Sequence, residues 1–148
     1  MSKQSGFTLA ACTLLALSLC QAQPGPIVSP RVIELTADHD SRYRSQGKVS
    51  PTIEAMAGEP LILRITASRA KQVARDGSVH GLVLLSQNLE AVPGWRFYLH
   101  PGVQELAVKA PDQPGRYTAV CTVICSDMHD GMTFTLMVTV GQSKIGKE

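Results

Sequence analysis

The sequence RYTAVCTVICSDMHDGMTFTLMVTV, residues 116–140, places a twelve-residue segment rich in sulfur and nitrogen donors between two strand-like runs. Residues 133–140 alternate between large apolar side chains and threonine or methionine, which is the period of a half-buried β-strand. Residues 116–121 predict a second strand that ends at the first cysteine. We therefore expect residues 121–132 to form a loop held at both ends by strands.

This loop carries Cys121, Cys125, His129 and Met132 at Cys-x3-Cys-x3-His-x2-Met spacing. Thiolate, thioether and imidazole are soft donors that select copper over calcium, magnesium or manganese. His80 begins an apolar run upstream and is expected at the start of a strand, where it can supply a second imidazole. One arrangement uses every donor: the two thiolates bridge two copper ions, the two histidines cap them, and Met132 and a backbone carbonyl are weak axial ligands.

Three other uses of these side chains remain open. Two cysteines and two histidines would make an ordinary zinc tetrahedron, although Met132 would then have no role. A mononuclear copper site would use one of Cys121 and Cys125 and leave the other without a function. The two thiols could also form a disulfide in an oxidising compartment, at least in the metal-free protein. A nucleophilic cysteine is disfavoured because no third group is placed to orient a base.

The N-terminus predicts export. Lys3, the uncharged apolar run of residues 6–20 and the small residue Ala22 fit a signal peptide over residues 1–22. A retained membrane anchor, or lipidation of Cys20, are the alternatives, and membrane association is expected only through such an N-terminus. Cleavage would lower the net charge from +2 to +1, which gives no basis for nucleic-acid binding. The cysteines that remain are those of the loop.

The rest of the 148 residues predict a single all-β domain, because 44% of them are apolar and no long amphipathic helix appears. We expect a proline-rich extended lead over residues 23–31, a domain over 32–141 and a C-terminal tail over 142–148. Six or seven short strands separated by turn signals predict a Greek-key β-sandwich. The polar segment 38–48 is expected to be a surface loop, and residues 70–77 to be a helical turn or a loop. His39 and His100 are expected to be solvated.

In its candidate metal ligands, His80 and the Cys-x3-Cys-x3-His-x2-Met loop, the chain resembles the cupredoxin family, and within it the binuclear CuA domains of cytochrome c oxidase subunit II and nitrous oxide reductase. The resemblance covers residues 32–140. It includes the segment 50–58, which begins with Ser-Pro, contains Ile53 and ends at Gly58. It also includes Val-His-Gly at 79–81, Pro-Gly-x-Tyr at 114–117, and the complete loop motif. The family implies a Greek-key β-barrel or sandwich that accepts single electrons, often from cytochrome c, and passes them to a catalytic centre.

The resemblance also implies that the carbonyl of Val123 binds copper, because this position lies between the two cysteines. Oxidase members place a glutamate there, whose carboxylate helps to hold the catalytic subunit, and valine lacks that group. The usual membrane hairpin and the large reductase domain have no counterpart. We therefore expect a stand-alone exported, periplasmic electron-transfer protein with two copper ions and no catalysis of its own. Its partner would be a c-type cytochrome or a terminal oxidase or reductase. A copper carrier or chaperone, and an accessory subunit of cytochrome c oxidase, are the alternatives.

Overall fold

The computed structural model describes residues 29–141, which form two five-stranded β-sheets. The strands, in chain order, are β1 (Arg31–Ala37), β2 (Tyr43–Ser45), β3 (Lys48–Val49), β4 (Thr52–Met56), β5 (Pro60–Ala67), β6 (His80–Leu85), β7 (Ala91–Leu99), β8 (Gly102–Lys109), β9 (Gly115–Val120) and β10 (Thr133–Thr139). In this part of the chain the helical structure is a single 3-10 turn, His129–Gly131.

One sheet has the strand order β3-β2-β1-β5-β8, and the other has the order β4-β10-β9-β6-β7. β1 runs parallel to β5 and β4 runs parallel to β10, whereas the remaining pairs are antiparallel. Neighbours in each sheet are therefore often distant in sequence. The predicted all-β Greek-key sandwich is confirmed.

Alternation along the strands places one face of each sheet in the common core. In β5, Leu61, Leu63 and Ile65 are buried while the residues between them are partly exposed. In β10, Phe134 and Leu136 are buried in the same way. Each such side chain contributes about 1.5–3 kcal/mol through removal of apolar surface from water. The core is continuous from the sheets to the loop that joins β9 and β10, because Cys125 and Met132 belong to it.

The prediction of a surface loop over residues 38–48 is wrong. This segment contains β2 and the start of β3, and Tyr43 is completely buried. The Tyr43 ring packs edge-on against Phe134 of the opposite sheet, with ring centroids 5.3 Å apart and an interplanar angle of 87°. A strand this short turns one large side chain inward, so it has no apolar period for a sequence pattern to reveal. Residues 70–77 form a loop without helix.

The two peripheral histidines are exposed, as expected: His39 pairs with Asp40 and His100 follows the end of β7. Within residues 29–141, no helix is long and apolar enough to cross a membrane. The signal peptide over residues 1–22, most of the lead over 23–31, and the tail over 142–148 lie outside the described residues. They stay predictions.

Candidate metal centre

The loop of residues 121–132 continues the β9–β10 pair. Thr133 lies opposite Val120 in the register, and beyond this pair the Cys121 amide donates a hydrogen bond to the Met132 carbonyl at 3.1 Å. Cys121 and Met132 therefore face each other at the base of the loop. Both are buried, Met132 completely. As predicted, the loop is held between two strands.

Three buried side chains offer their ligand atoms at one point. The ligand atoms of His80, Cys121 and Cys125 all lie within 4.8 Å of one another, and the two sulfur atoms are 3.8 Å apart. His80 is the first residue of β6, whose pairing with β9 brings it beside the loop. The predicted placement of this histidine at a strand start, aimed at a loop distant in sequence, is confirmed.

The surroundings of His80 leave one ring nitrogen available. Its Nε2 lies 3.1 Å from the Ser68 carbonyl oxygen, which can only accept, so Nε2 carries the proton. Its Nδ1 is buried and has no hydrogen-bond partner among the described residues. Burial, which disfavours the charged ring, lowers the pKa of His80. A neutral imidazole held by a carbonyl at one nitrogen, with a free lone pair at the other, is the form that ligates metals.

The Cys121 sulfur lies among backbone groups. The Gly81 amide donates to it at 3.3 Å, and the Val123 carbonyl oxygen is also 3.3 Å away. Burial raises the pKa of the Cys121 thiol to about 11, so this thiol stays protonated at neutral pH in the metal-free protein. Metal binding must therefore release that proton. The Val123 carbonyl then loses the thiol as a donor.

Gly81 is required by the closeness of β6 to the loop. A Cβ at this position would lie 2.4 Å from the Thr122 Oγ1 atom, 3.1 Å from the Thr122 amide nitrogen and 3.2 Å from the Val123 amide nitrogen. Two of these atoms belong to the backbone and cannot rotate away. The Gly81 carbonyl accepts a hydrogen bond from the buried Tyr43 hydroxyl. The Val-His-Gly tripeptide at 79–81 is the sequence signal for Gly81. The spacing of the metal ligands alone does not point to this glycine.

His129 lies outside the group of three ligand atoms. It begins the 3-10 turn, where its Nδ1 is 2.9 Å from the Ser126 carbonyl oxygen and its Nε2 is 3.1 Å from the carboxylate of Asp130. Oxygen atoms of the loop thus lie beside both ring nitrogens, and a neutral ring can donate to one of them. Of the residues predicted to hold metal, the structure brings together His80, Cys121 and Cys125. The Val123 carbonyl lies next to the Cys121 sulfur, and Met132 is buried at the base of the loop.

These donors fit copper. Two thiol sulfurs lie 3.8 Å apart beside an imidazole nitrogen that has no partner in the described part of the chain, and they form a soft donor set. A sulfur anion can bind more than one metal ion. The same three ligands would also fit zinc, which accepts cysteine and histidine. The buried thioether of Met132 favours copper because zinc sites in proteins use nitrogen, thiolate and carboxylate ligands.

Comparison with solved structures shows the same architecture in copper proteins. Auracyanin A, a blue copper protein from Chloroflexus aurantiacus, is 18% identical, with a TM-score of 0.53 over 75% of this chain and 100% of its own. A chain of a heme-copper terminal oxidase dimer is 20% identical, with a TM-score of 0.51 over 84% of this chain and 76% of its own. The copper protein rusticyanin is 14% identical, with a TM-score of 0.51 over 75% and 80%. The chain has the cupredoxin fold. No protein-family model and no curated protein sequence matches it.

In this cupredoxin fold, two serines that the sequence did not suggest as part of the site lie beside Cys125: Ser41, and Ser126 within residues 121–132, which we call the metal loop. Ser41, in the turn between β1 and β2, is completely buried with its Oγ 3.3 Å from the Cys125 sulfur. Its hydroxyl also lies 2.7 Å from the hydroxyl of Ser126. Serine is common in turns, and nothing in the order of residues around position 41 indicates contact with a cysteine 84 residues away.

Proposed function

We propose that this protein transfers single electrons through a binuclear CuA-type copper centre. The observation that carries the proposal is the meeting of two buried sulfurs, 3.8 Å apart, with a buried imidazole whose Nδ1 has no partner among the described residues. An uncompensated buried polar atom costs about 1–3 kcal/mol unless something binds it. Metal at this point would satisfy the nitrogen and take up both sulfurs as ligands.

The residues that would hold the metal are those of the loop and β6. His80 would bind through Nδ1, Cys121 and Cys125 would each bind both ions, and Met132 and the Val123 carbonyl would be weak ligands. His129 would be the second imidazole, which requires it to exchange its present contacts with Ser126 and Asp130 for the metal. Two copper ions held by the same pair of sulfurs would share the electron gained on reduction, so each bond would change little between oxidation states.

The chain's own part is to hold these ligands rigidly and keep water away from them. The loop is tied to β9 and β10 at its base, and the Gln72 amide donates to the Cys125 carbonyl at 3.0 Å from the far side. Cys125 and His80 are completely buried. A centre that changes oxidation state without rearrangement needs such support from regular strands.

A protein partner would meet the centre at the outside of the loop. Ile124 and Met128 lie within the loop and expose 65% and 58% of their surface. Apolar side chains at such a position favour contact with another protein over free solvent. Among the similar folds, one belongs to a heme-copper terminal oxidase dimer, which supports a terminal oxidase-type partner. A c-type cytochrome is the corresponding donor implied by the family.

Export to the periplasm is part of the same proposal. It is supported by the signal-like pattern of residues 1–22 and by the pair of cysteines left after cleavage, which are committed to one site. The partner and the source of electrons would then be extracytoplasmic.

A copper carrier is the second candidate, and the position of His129 favours it. Three donors are assembled, whereas the fourth is held by Ser126 and Asp130. A site with two cysteines and one histidine in place would bind a single cuprous ion and release it when a partner offers a fourth ligand. The two functions therefore differ in the number of copper ions and in how readily copper leaves.

The test is metal analysis and electron paramagnetic resonance of the copper-loaded protein. We expect two copper ions per chain and hyperfine structure from one unpaired electron shared by both nuclei. One copper per chain with a localised signal would refute the binuclear centre. Competition with a cuprous chelator separates the candidates, because a carrier loses copper to the chelator at concentrations that leave an electron-transfer centre intact. His129→Ala is the matched variant: it should disrupt the binuclear spectrum and leave a carrier's affinity little changed.

A further inference from the structure

The turn between β1 and β2 brings a hydroxyl group to one of the two site sulfurs. Ser41 is completely buried and adopts a left-handed conformation with φ of 58°, which is uncommon for a residue with a side chain. Its Oγ lies 3.3 Å from the Cys125 sulfur and 2.7 Å from the Ser126 Oγ. A non-glycine residue keeps such a conformation only where its surroundings enforce it.

Asp38 supplies that enforcement. Its carbonyl accepts from the Ser41 amide at 3.1 Å, and its carboxylate accepts from the Arg42 amide at 2.9 Å. The second carboxylate oxygen pairs with the Arg44 guanidinium. Arg42 also reaches across to the Met128 carbonyl at 3.3 Å, which ties the turn to the metal loop. The contacts of Asp38, which do not involve the metal loop, thus hold the Ser41 hydroxyl against Cys125.

The direction of these hydrogen bonds follows from the donors present. In the metal-free protein the Cys125 thiol donates to the Ser41 oxygen. A metal-bound sulfur has no proton and can only accept, so with metal bound the direction of this hydrogen bond reverses and the Ser41 hydroxyl becomes the donor. The Ser41 oxygen can then accept the proton of the Ser126 hydroxyl. The Ser126 oxygen accepts in turn from the Met128 amide at 3.1 Å. With this direction each serine hydroxyl proton has an acceptor. The chain of hydrogen bonds ends at the Met128 amide, a backbone donor inside the metal loop.

The Cys121 and Cys125 sulfurs therefore have different kinds of hydrogen-bond partner. Cys121 receives the backbone amide of Gly81, which no side-chain replacement removes. Cys125 meets a side-chain hydroxyl from a separate part of the chain: the metal-free thiol donates to the Ser41 oxygen, and a metal-bound sulfur would accept from it instead. A hydrogen bond withdraws electron density from a ligating sulfur and so weakens its donation to the oxidised metal more than to the reduced one.

We propose that Ser41 is a positioning residue of the metal centre: its hydroxyl, oriented by Ser126, donates a hydrogen bond to the Cys125 sulfur and raises the reduction potential of the copper bound there. This inference rests on the proposed function, because it concerns copper held by the same two cysteines. It assigns a role to the turn after β1, which contributes no ligand.

The test is the reduction potential and the visible absorption of copper-loaded Ser41→Ala. We expect the ratio of reduced to oxidised protein at a fixed potential to fall about tenfold, a downward shift of about 59 mV for one electron. The sulfur-to-copper absorption should move to lower energy. Ser126→Ala should shift both in the same direction by less, because Ser41 keeps its hydroxyl. The double variant should match Ser41→Ala alone, since residues in one network are not additive.

Ser45→Ala is the matched control. It removes a hydroxyl from β2 that donates to the Glu34 carbonyl at 2.9 Å, away from the metal loop, and should leave the potential and the spectrum unchanged. A Ser41→Ala potential equal to that of Ser45→Ala, or raised, overturns the inference. If Ser41→Ala does not fold or load, an unshifted potential in Ser126→Ala overturns it instead. Wild-type protein that takes up no copper overturns the proposed function as well, whereas normal copper loading with unshifted variants overturns this inference alone.

Discussion

Gly81→Ala tests whether the closeness of β6 to the metal loop shapes the site. The added methyl would lie 2.4 Å from the Thr122 hydroxyl, which can rotate or move because Thr122 is exposed. It would also lie 3.1 and 3.2 Å from two backbone nitrogens, which must each retreat by a few tenths of an ångström. Overpacking of this kind costs about 1–3 kcal/mol, and the reduced freedom of the unfolded chain offsets about 0.4–1 kcal/mol of it.

The difference of these two ranges is about 0–2.6 kcal/mol, so we expect metal-free Gly81→Ala to be less stable by about 1.3 kcal/mol, which lowers the melting temperature by roughly 5 °C for a domain of about this size. The displaced segment, Thr122 and Val123, lies between the two cysteines, so the copper-loaded spectrum should change as well. Thermal unfolding by circular dichroism measures the first effect, and visible absorption measures the second. Adding Thr122→Ala should recover only the side-chain part of the loss, because the backbone contacts remain.

Gly94→Ala is the control for Gly81→Ala. Gly94 has a φ of +78°, and a methyl group added there would meet no atom of residues 29–141 within 4 Å, so alanine strains the backbone without touching the metal loop. Its melting temperature should fall while its copper spectrum stays that of the wild type. If Gly81→Ala keeps both the wild-type melting temperature and the wild-type spectrum, the close approach does not constrain the site and the reasoning is refuted.

Three further outcomes follow from the site. Cys125→Ser should destroy the purple-type absorption of a two-thiolate copper centre, whereas Met132→Leu should retain copper and mainly shift its potential, since an axial thioether is a weak ligand; equal loss of copper would contradict the axial role. Tyr43→Phe should lower the unfolding free energy by about 1–2 kcal/mol in denaturant titration, because the Gly81 carbonyl loses its donor while the aromatic packing remains. His80 has a lowered pKa in the folded protein, so metal-free protein should lose stability as pH falls below about 6.5, where the unfolded chain binds the proton first. Replacing His80 with glutamine should remove that loss.

The local part of the site could be predicted because its signals are local. Alternation over residues 133–140 and the strand before Cys121 define the ends of the loop, and four donors at short spacing lie inside it. His80 was predictable for a different reason: an apolar run begins at it, and a strand start is a place from which a side chain can reach a neighbouring loop. The residues that surround the candidate ligands belong to no local pattern of apolar or donor residues. Tyr43 lies in a three-residue strand, and Ser41 in a polar turn, so neither belongs to any apolar period.

By itself, the sequence determined the all-β class, the loop between the last two strands, and a donor set suited to copper, because periodicity and ligand spacing are properties of neighbouring residues. Only the tertiary structure decided which donors meet and what surrounds them. The register of β6 with β9 places His80 and Gly81 against Cys121, and the turn after β1 places Ser41 against Cys125. The 3-10 turn holds His129 away from the other donors. These contacts depend on strand pairing and packing between segments tens of residues apart, which no spacing within the chain encodes.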